Sequence, residues 1–166
     1  MDFSKIKLLL TDNDGVLTDG GFYYSNSGDV SVKYNSLDGM GIVLLQEKFD
    51  VEVVIISGSG ADYISNRAKK LGIKIVHLNC YDKVEIVKQI LLDKNLQKEE
   101  VVFIGDDVND IDAMNLCGIR VAVANAHSSL LPIVDYVCVK NGGDGAIREL
   151  ADIIINAKSN KTNWKI

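Results

Sequence analysis

The amino-acid sequence predicts an α/β protein with one open, Rossmann-like parallel sheet that is covered by helices on both faces. Short apolar runs alternate along the chain with segments in which apolar residues recur at helical spacing. Strands that are apolar throughout are typical of a parallel sheet buried between two helical layers. The chain has 166 residues, which suits a single domain with a substantial core.

The predicted strands are six apolar runs: residues 6–10, 51–56, 73–78, 101–104, 121–124 and 136–139. The predicted helices are five segments: residues 39–48, 61–71, 83–94, 111–117 and 145–158. In the third of these, Val84, Val87 and Leu91 fall on one helical face. We assign residues 1–158 to one domain and residues 159–166 to a polar C-terminal tail, which is either loose or docked on a partner subunit.

One segment, about residues 20–34, departs from this alternation and predicts a projecting β-hairpin. Aromatic and β-branched residues flank a turn signal at residues 25–28. An isolated hairpin is only marginally stable, and this one carries four aromatic residues: Phe22, Tyr23, Tyr24 and Tyr34. We therefore expect it to pack against another subunit, with folding back onto its own domain as the alternative.

The composition excludes several classes of function. A formal net charge of −5 leaves no basic surface for nucleic acid. We also expect no membrane association and a cytoplasmic location, because no apolar run is long enough to span a bilayer and no signal segment is recognisable. The three cysteines, Cys80, Cys117 and Cys138, lack metal-binding spacing and are predicted to be buried.

Acidic residues follow two of the predicted strands directly. Asp12 and Asp14 come after the first strand, and Asp106 and Asp107 come after the fourth. Ligands of open α/β sheets bind at the carboxyl ends of the strands, so these carboxylates are expected at one edge. Carboxylates so close together resist joint ionisation unless a cation lies beside them. Mg²⁺ suits such a site, because it takes few carboxylates and completes its coordination with water and phosphate oxygens.

With a metal present, the first two aspartates can divide a phosphoryl transfer between them. Asp12, which follows the strand directly, is the candidate nucleophile and would form an aspartyl-phosphate. Asp14 lies two residues further along, on the same side of the strand, and is the candidate acid and base. It would protonate the leaving alcohol and later accept a proton from water.

The remaining parts of a phosphoryl site also have candidates. Ser57 and the backbone N–H of Gly58 follow the second apolar strand and could bind phosphate oxygens. Lys83 begins a helix, where its charge opposes the helix dipole, and it could bridge the nucleophile and the phosphate. Asn109 is a helix cap or a site residue, and Asp110 could orient Lys83 or a metal-bound water.

Four motifs in this order resemble those of the haloacid dehalogenase-like phosphatases: "DNDGVLTDG", "SG" after a strand, a later lysine, and "GDDVND". The resemblance covers essentially the whole chain. It implies that Asp12 is the nucleophile, that Asp14 is the acid and base, and that Ser57 and Lys83 hold phosphate. It further implies Mg²⁺ bound by Asp12, by the backbone carbonyl of Asp14 and by Asp106.

A closer likeness is to the cap-less branch that includes the 3-deoxy-D-manno-octulosonate 8-phosphate and nonulosonate 9-phosphate phosphatases. The segments that carry it are "GVLTDGGFYYSNSGD", "YNSLDGMGIVLL", "RAKKLGI" and "GGDGAIREL". The likeness implies a homotetramer in which hairpins of neighbouring subunits help to close each site. Neighbours could also bring Asp38 or the turn at residues 142–145 near the substrate.

The substrate stays open between these two sugar-acid phosphates. Ser59 stands where many octulosonate enzymes have Arg and some nonulosonate enzymes have Glu. Arg67 and Lys70 match positions that contact the sugar acid in the nonulosonate type, but both could equally be exposed residues of a helix. The octulosonate type is the preferred interpretation.

Two alternatives come from other classes. A receiver-like signalling domain shares the small parallel fold and its acid pair, but it places its acids and lysine in a different order. An inactive scaffold would keep the fold while losing the chemistry, although here every motif position is filled by a competent residue.

Overall fold

The computed structural model describes residues 1–159, which form one α/β domain. Its strands are β1 (Leu8–Thr11), β2 (Tyr23–Tyr24), β3 (Val30–Ser31), β4 (Glu52–Ile56), β5 (Ile75–His77), β6 (Val101–Gly105), β7 (Ile119–Ala122) and β8 (Tyr136–Val137). Its helices are α1 (Ser36–Lys48), α2 (Asp62–Lys70), α3 (Lys83–Asp93), α4 (Ile111–Met114) and α5 (Ala146–Ser159). The predicted fold class is confirmed.

Six strands form one parallel sheet in the order β5-β4-β1-β6-β7-β8. β1 lies at the centre, where Thr11 is in register with Ile55 of β4 and with Ile104 of β6. The loops that follow β1, β4 and β6 therefore leave the sheet side by side at its carboxyl edge. This placement brings the predicted motifs together.

Apolar side chains fill both faces of the sheet. In β1, Leu9 packs into the core shared with α1 and α5, whereas Leu8 and Leu10 pack into the core shared with α3 and α4. Alternation along a strand sends successive side chains to opposite faces, so a strand buried on both sides must be apolar throughout. This explains the uninterrupted apolar run that precedes Asp12.

The predicted hairpin is present as an antiparallel pair formed by β2 and β3. Its turn contains Gly28 at a φ of 90°, a backbone conformation that favours glycine. Residues 20–31 are all exposed, and Tyr34 at the base pairs with Thr18 in an isolated bridge. Of the four aromatic residues, Phe22, Tyr23 and Tyr24 are exposed, whereas Tyr34 is half-buried against the core of its own domain.

Several element ends differ from the sequence predictions, and for β7 and α1 the local reason is visible. β7 begins at Ile119 rather than at residue 121, because the half-buried Arg120 interrupts the apolar run while its backbone pairs within the sheet. α1 begins at Ser36 rather than at residue 39, because the side chain of Asn35 caps it. α4 ends at Met114, well before residue 117.

Other predictions concern the cysteines, the chain end and the membrane. Cys117 and Cys138 are buried as predicted, whereas Cys80 is half-buried. The predicted tail lies outside the described residues except for Ser159, which ends α5. No helix within residues 1–159 is long and apolar enough to cross a membrane.

Candidate active site

The carboxyl edge of the sheet holds an opening of about 220 Å³ between the loops that follow β1, β4 and β6. Eight predicted site residues line it: Asp12, Asp14, Ser57, Gly58, Ser59, Asp106, Asp107 and Asn109. A larger groove of about 440 Å³ lies beside the start of β4, but no comparable cluster of candidate catalytic groups lines it. The smaller opening is therefore the candidate active site.

Lys83 joins two of the buried carboxylates. Its Nζ lies 2.8 Å from Oδ2 of Asp12 and 2.7 Å from Oδ1 of Asp110, and the residue is only 3% exposed. Burial alone would lower the pKa of this lysine, but attraction to Asp12 and Asp110 outweighs it and raises the pKa. Lys83 is therefore a fixed cation beside the candidate nucleophile.

The start of α3 explains how the lysine is placed. The side chain of Asp82 accepts hydrogen bonds from the backbone N–H groups of Val84 and Glu85, which caps the helix immediately before Lys83. A lysine at this position opposes the helix dipole, and its two ion pairs offset that cost. The structure thus places Lys83 next to Asp12, but the second group it contacts is Asp110, and its predicted contact with a phosphate stays a prediction.

Asp110 is held in place from several directions. Besides its ion pair with Lys83, its Oδ2 accepts the backbone N–H of Asp106 at 3.1 Å and more weakly that of Asp107 at 3.5 Å. A side chain on Gly105 would collide with this carboxylate, so the close approach requires glycine. Asp110 thus fixes both the lysine and the loop that carries Asp106.

Asp106 differs from Asp12 and Asp110 in that it has no ion pair with Lys83. Within residues 1–159, no cationic side chain pairs with its carboxylate. Burial, together with the charges of Asp12, Asp110 and Asp107, raises its pKa to about 7. Burial and the charge of Asp110 likewise raise the pKa of Asp12 to about 6, although Lys83 opposes this shift. The site therefore carries more negative charge than its own lysine neutralises.

A divalent cation fits this excess of charge. Oxygens of Asp12, Asp106 and Asp110 lie within 4.8 Å of one another. Hard oxygen donors at this spacing suit Mg²⁺, which commonly keeps water and phosphate oxygens as its other ligands. Both oxygens of Asp110 are already engaged by Lys83 and by backbone N–H groups, so Asp12 and Asp106 are the better candidate ligands.

The loop after β4 supplies the serine. Ser57 is 1% exposed, and its Oγ accepts the backbone N–H of Ser59 at 3.1 Å. The serine hydroxyl keeps its own hydrogen, which it can donate to a bound oxyanion. Gly58 and Ser59 line the opening directly beside it.

Asp14 is held by two side chains that the sequence interpretation did not single out for the site. Its Oδ1 accepts a hydrogen bond from Nδ2 of Asn13 at 3.0 Å and another from the hydroxyl of Tyr63 at 3.1 Å. Tyr34, which the sequence placed on the hairpin, donates to Oδ1 of Asn13 at 3.0 Å. The sequence gives only a weak indication that Tyr63 belongs to the site, namely that it is an aromatic residue in the first turn of the helix that follows the Ser57 loop.

Two further predicted substrate residues do not line the opening. Nη2 of Arg67 donates to the backbone carbonyl of Asn35 at 2.9 Å, and its guanidinium lies 5.2 Å from the centre of the Tyr34 ring. Lys70 is exposed at the end of α2. Their predicted contacts with a sugar acid remain predictions.

Two other expectations need correction. The cap of the 3₁₀ turn after β6 is Asp107, which accepts the N–H of Val108, so the cap interpretation of Asn109 is wrong. Asp38 is 1% exposed and accepts the backbone N–H groups of Gly145 and Arg148. It is therefore engaged in its own domain and is not available to a neighbouring site.

The chain is similar to known hydrolases over most of its length. Residues 45–150 match the family model of the haloacid dehalogenase-like hydrolases. The 3-deoxy-D-manno-octulosonate 8-phosphate phosphatase KdsC of Yersinia pestis is 40% identical over 155 residues, which cover 93% of this chain and 82% of the relative.

Solved structures extend the likeness to three dimensions. A crystal structure of 3-deoxy-D-manno-octulosonate 8-phosphate phosphatase from Yersinia pestis superimposes with a TM-score of 0.92 at 39% identity, covering 95% of this chain and 85% of that one. The same phosphatase from Moraxella catarrhalis, in complex with magnesium, phosphate and KDO, gives a TM-score of 0.91 at 30% identity, covering 96% and 91%.

The chain belongs to the haloacid dehalogenase-like hydrolases, as its motifs predict. It is a phosphoric monoester hydrolase, and its relatives at 35–40% identity are 3-deoxy-D-manno-octulosonate 8-phosphate phosphatases. Membership of this family decides against a receiver-like signalling domain.

Proposed function

We propose that the protein is a Mg²⁺-dependent phosphatase that hydrolyses 3-deoxy-D-manno-octulosonate 8-phosphate through an aspartyl-phosphate on Asp12. The observation that carries the proposal is the pairing of the buried Lys83 with Asp12, which lines the same opening as Ser57 and Asp106. A nucleophile, a fixed cation, a phosphate-binding hydroxyl and an unneutralised carboxylate then meet at one point. The names of the relatives support this choice of substrate.

In the first step, a carboxylate oxygen of Asp12 attacks phosphorus, and the bond from phosphorus to the ester oxygen breaks. The departing alkoxide takes a proton from the carboxyl group of Asp14. Lys83 lies beside Asp12 and helps to offset the negative charge of the incoming phosphoryl group. Ser57 and the N–H of Gly58 donate to its oxygens.

In the second step, Asp14 is ionised and accepts a proton from water, whose oxygen attacks phosphorus. The acyl-phosphate bond breaks, inorganic phosphate leaves, and the Asp12 carboxylate is restored. Asp110 keeps Lys83 in position throughout, since it shares the lysine with Asp12 at 2.7 Å.

The carboxylates of Asp12 and Asp106, with the backbone carbonyl of Asp14, would hold the metal. A bound Mg²⁺ would neutralise negative charge and orient an oxygen of the transferring phosphoryl group. The raised pKa values of Asp12 and Asp106 support this arrangement, because both groups are short of positive charge.

The decisive experiment is a phosphate-release assay with Mg²⁺ on 3-deoxy-D-manno-octulosonate 8-phosphate. We expect turnover that stops on chelation, and a loss on the order of 10⁴-fold or more in Asp12→Asn. Nonulosonate 9-phosphates are assayed in parallel, because Ser59 matches neither the octulosonate nor the nonulosonate enzymes and so does not indicate which substrate is preferred. A preference for these substrates would overturn the proposed substrate, and parental turnover by Asp12→Asn would overturn the nucleophile.

We also propose a homotetramer in the cytoplasm, assembled through the hairpin. Phe22, Tyr23 and Tyr24 are 46%, 61% and 73% exposed in the single chain. Exposed aromatic side chains clustered on a short ribbon favour burial against another subunit. A neighbouring hairpin would also cover the open site and exclude water from it.

A further inference from the structure

We propose that Tyr63 is a positioning residue that determines which oxygen of Asp14 carries the mobile proton. The inference rests on the proposed role of Asp14 as acid and base. Tyr63 extends that role to a residue of the first turn of α2, which follows the phosphate-binding loop in the chain. Tyr63 need not touch the substrate to act.

Two donors converge on one oxygen of Asp14. Oδ1 accepts from the hydroxyl of Tyr63 at 3.1 Å and from the amide nitrogen of Asn13 at 3.0 Å. A proton on Oδ1 would face the hydrogens of both donors, so the neutral carboxyl group carries its proton on Oδ2. No donor from the described residues bonds to Oδ2.

Both donors are themselves fixed. Asn13 is fully buried, and its amide oxygen accepts the hydroxyl of Tyr34 at 3.0 Å, which turns its nitrogen towards Asp14. Tyr63 packs against the apolar core and is half-buried. The two hydrogen bonds therefore set the rotation of a carboxyl group that lines the opening.

Without the Tyr63 hydroxyl, Asn13 would be the one remaining donor to Oδ1, so the carboxyl group would rotate more freely and its proton would be held less strictly on Oδ2. The step that suffers is protonation of the leaving group. We therefore expect the loss to depend on how much the leaving group needs a proton, which a general disturbance of the site would not produce. This dependence is the basis of the test.

The experiment compares kcat/KM of the parent and Tyr63→Phe on phenyl phosphate and p-nitrophenyl phosphate with Mg²⁺. This ratio reports the steps through formation of the aspartyl-phosphate, and p-nitrophenolate departs without protonation whereas phenolate is helped by it. We expect a loss of about tenfold on phenyl phosphate and of less than about threefold on p-nitrophenyl phosphate. Tyr136→Phe is the matched control.

The control removes a hydroxyl that donates to a carboxylate of Glu149 at 2.7 Å, outside the opening, and should leave both ratios unchanged. An equal loss on the two esters in Tyr63→Phe, or no loss, overturns the inference. If that variant does not fold, Asn13→Leu removes the other donor and must show the same selectivity. A parent inactive on these esters and on the sugar-acid phosphate would instead overturn the proposed function.

Discussion

Oxygens of Asp12, Asp106 and Asp110 lie within 4.8 Å of one another, and each of the three carboxylates has a different surrounding. Asp110 is satisfied by Lys83 and by backbone N–H groups. Asp12 shares the lysine, and Asp106 has no cationic partner among the described residues. This graded arrangement leaves two carboxylates for a metal while the third holds the lysine.

The pH dependence of stability follows from this excess of charge. In the metal-free protein, the pKa of Asp12 is raised from 3.8 to about 6 and that of Asp106 to about 7. The folded state therefore binds more protons than the unfolded state between about pH 4 and pH 7, and the unfolding free energy falls as pH rises. Thermal unfolding with a chelator should show a lower Tm at pH 7 than at pH 5.

Asp106→Asn separates this contribution from those of other groups. The variant lacks the carboxyl group whose pKa is raised to about 7, so its Tm should fall less over the same pH range. Added Mg²⁺ should raise the Tm of the parent more at pH 7 than at pH 5, because it binds ionised carboxylates. Identical pH profiles for parent and variant would contradict this account.

Replacing Lys83 with Met should destabilise the domain strongly at neutral pH. The substitution leaves Asp12 and Asp110 buried without their cation, and breaking such a buried pair costs about 3–5 kcal/mol. The free energy of unfolding by urea measures this loss. Lys88→Met, on the exposed side of the same helix, removes only a surface pair with Glu85 and should leave the free energy of unfolding close to that of the parent.

A Lys83→Met protein that is as stable as Lys88→Met would show that the buried lysine is not needed to neutralise the acids. Activity gives a second reading, since the loss of Lys83 should also reduce phosphate release. Lys83 affects both folding and chemistry because its side chain contacts the candidate nucleophile Asp12 as well as the buried Asp110.

At the scale of elements, the sequence predicted which polar groups follow the strands. The order of the strands in the sheet then brings these groups together into one site. β1, β4 and β6 are neighbours, so loops distant in sequence meet at one edge. Asp12, Ser57 and Asp106 could therefore be grouped from local patterns alone. The apolar runs indicated the approximate position of each strand. The predicted start of α1 was too late because the Asn35 cap lies outside the apolar pattern, and that of β7 because the half-buried Arg120 interrupts its apolar run.

Contacts between distant side chains could not be read in the same way. The hydroxyl of Tyr63 meets Asp14 across 49 positions, and Asp38 meets Gly145 across 107. Nothing in the local sequence distinguishes such a tyrosine from a core aromatic or such an aspartate from a surface acid. Only the packing of α1 against α5 shows that Asp38 caps another element.

Asp38→Ala should weaken the link between α1 and α5. Its carboxylate accepts N–H groups at the start of α5, and the loss of a cap costs about 0.5–2 kcal/mol, with more expected here because the groups are buried. The measurement is the free energy of unfolding by denaturant. Asp144→Ala, an exposed aspartate of the adjoining turn, should have little effect, and an equal loss in both variants would contradict the assigned role.

At the scale of the whole molecule, the described domain leaves its site open. The opening lies at a sheet edge, and residues 1–159 place no second domain over it. Electrostatic stabilisation of a phosphoryl transfer is stronger where water is excluded. The exposed hairpin begins a few residues after Asp14 and is the element best placed to supply cover in an assembly.

Substituting Phe22 and Tyr24 with Ser should therefore act on assembly before it acts on folding. These side chains are exposed in the single chain, so their loss removes no core contact, yet it removes apolar surface that we expect to be buried between subunits. Size-exclusion chromatography with light scattering should show a smaller species than the parent. Its thermal unfolding should remain cooperative, and its phosphate release should be reduced at least about tenfold.

Val139→Ser is the matched control, because Val139 is an apolar side chain that is 81% exposed and lies outside the hairpin. It should leave both the size and the activity of the protein unchanged. A double variant that dissociates yet keeps the parental rate would separate assembly from catalysis. In that case, no neighbouring subunit would be needed to exclude water from the site. The sugar acid of the bound substrate would itself displace water from the opening between Asp14 and Ser59.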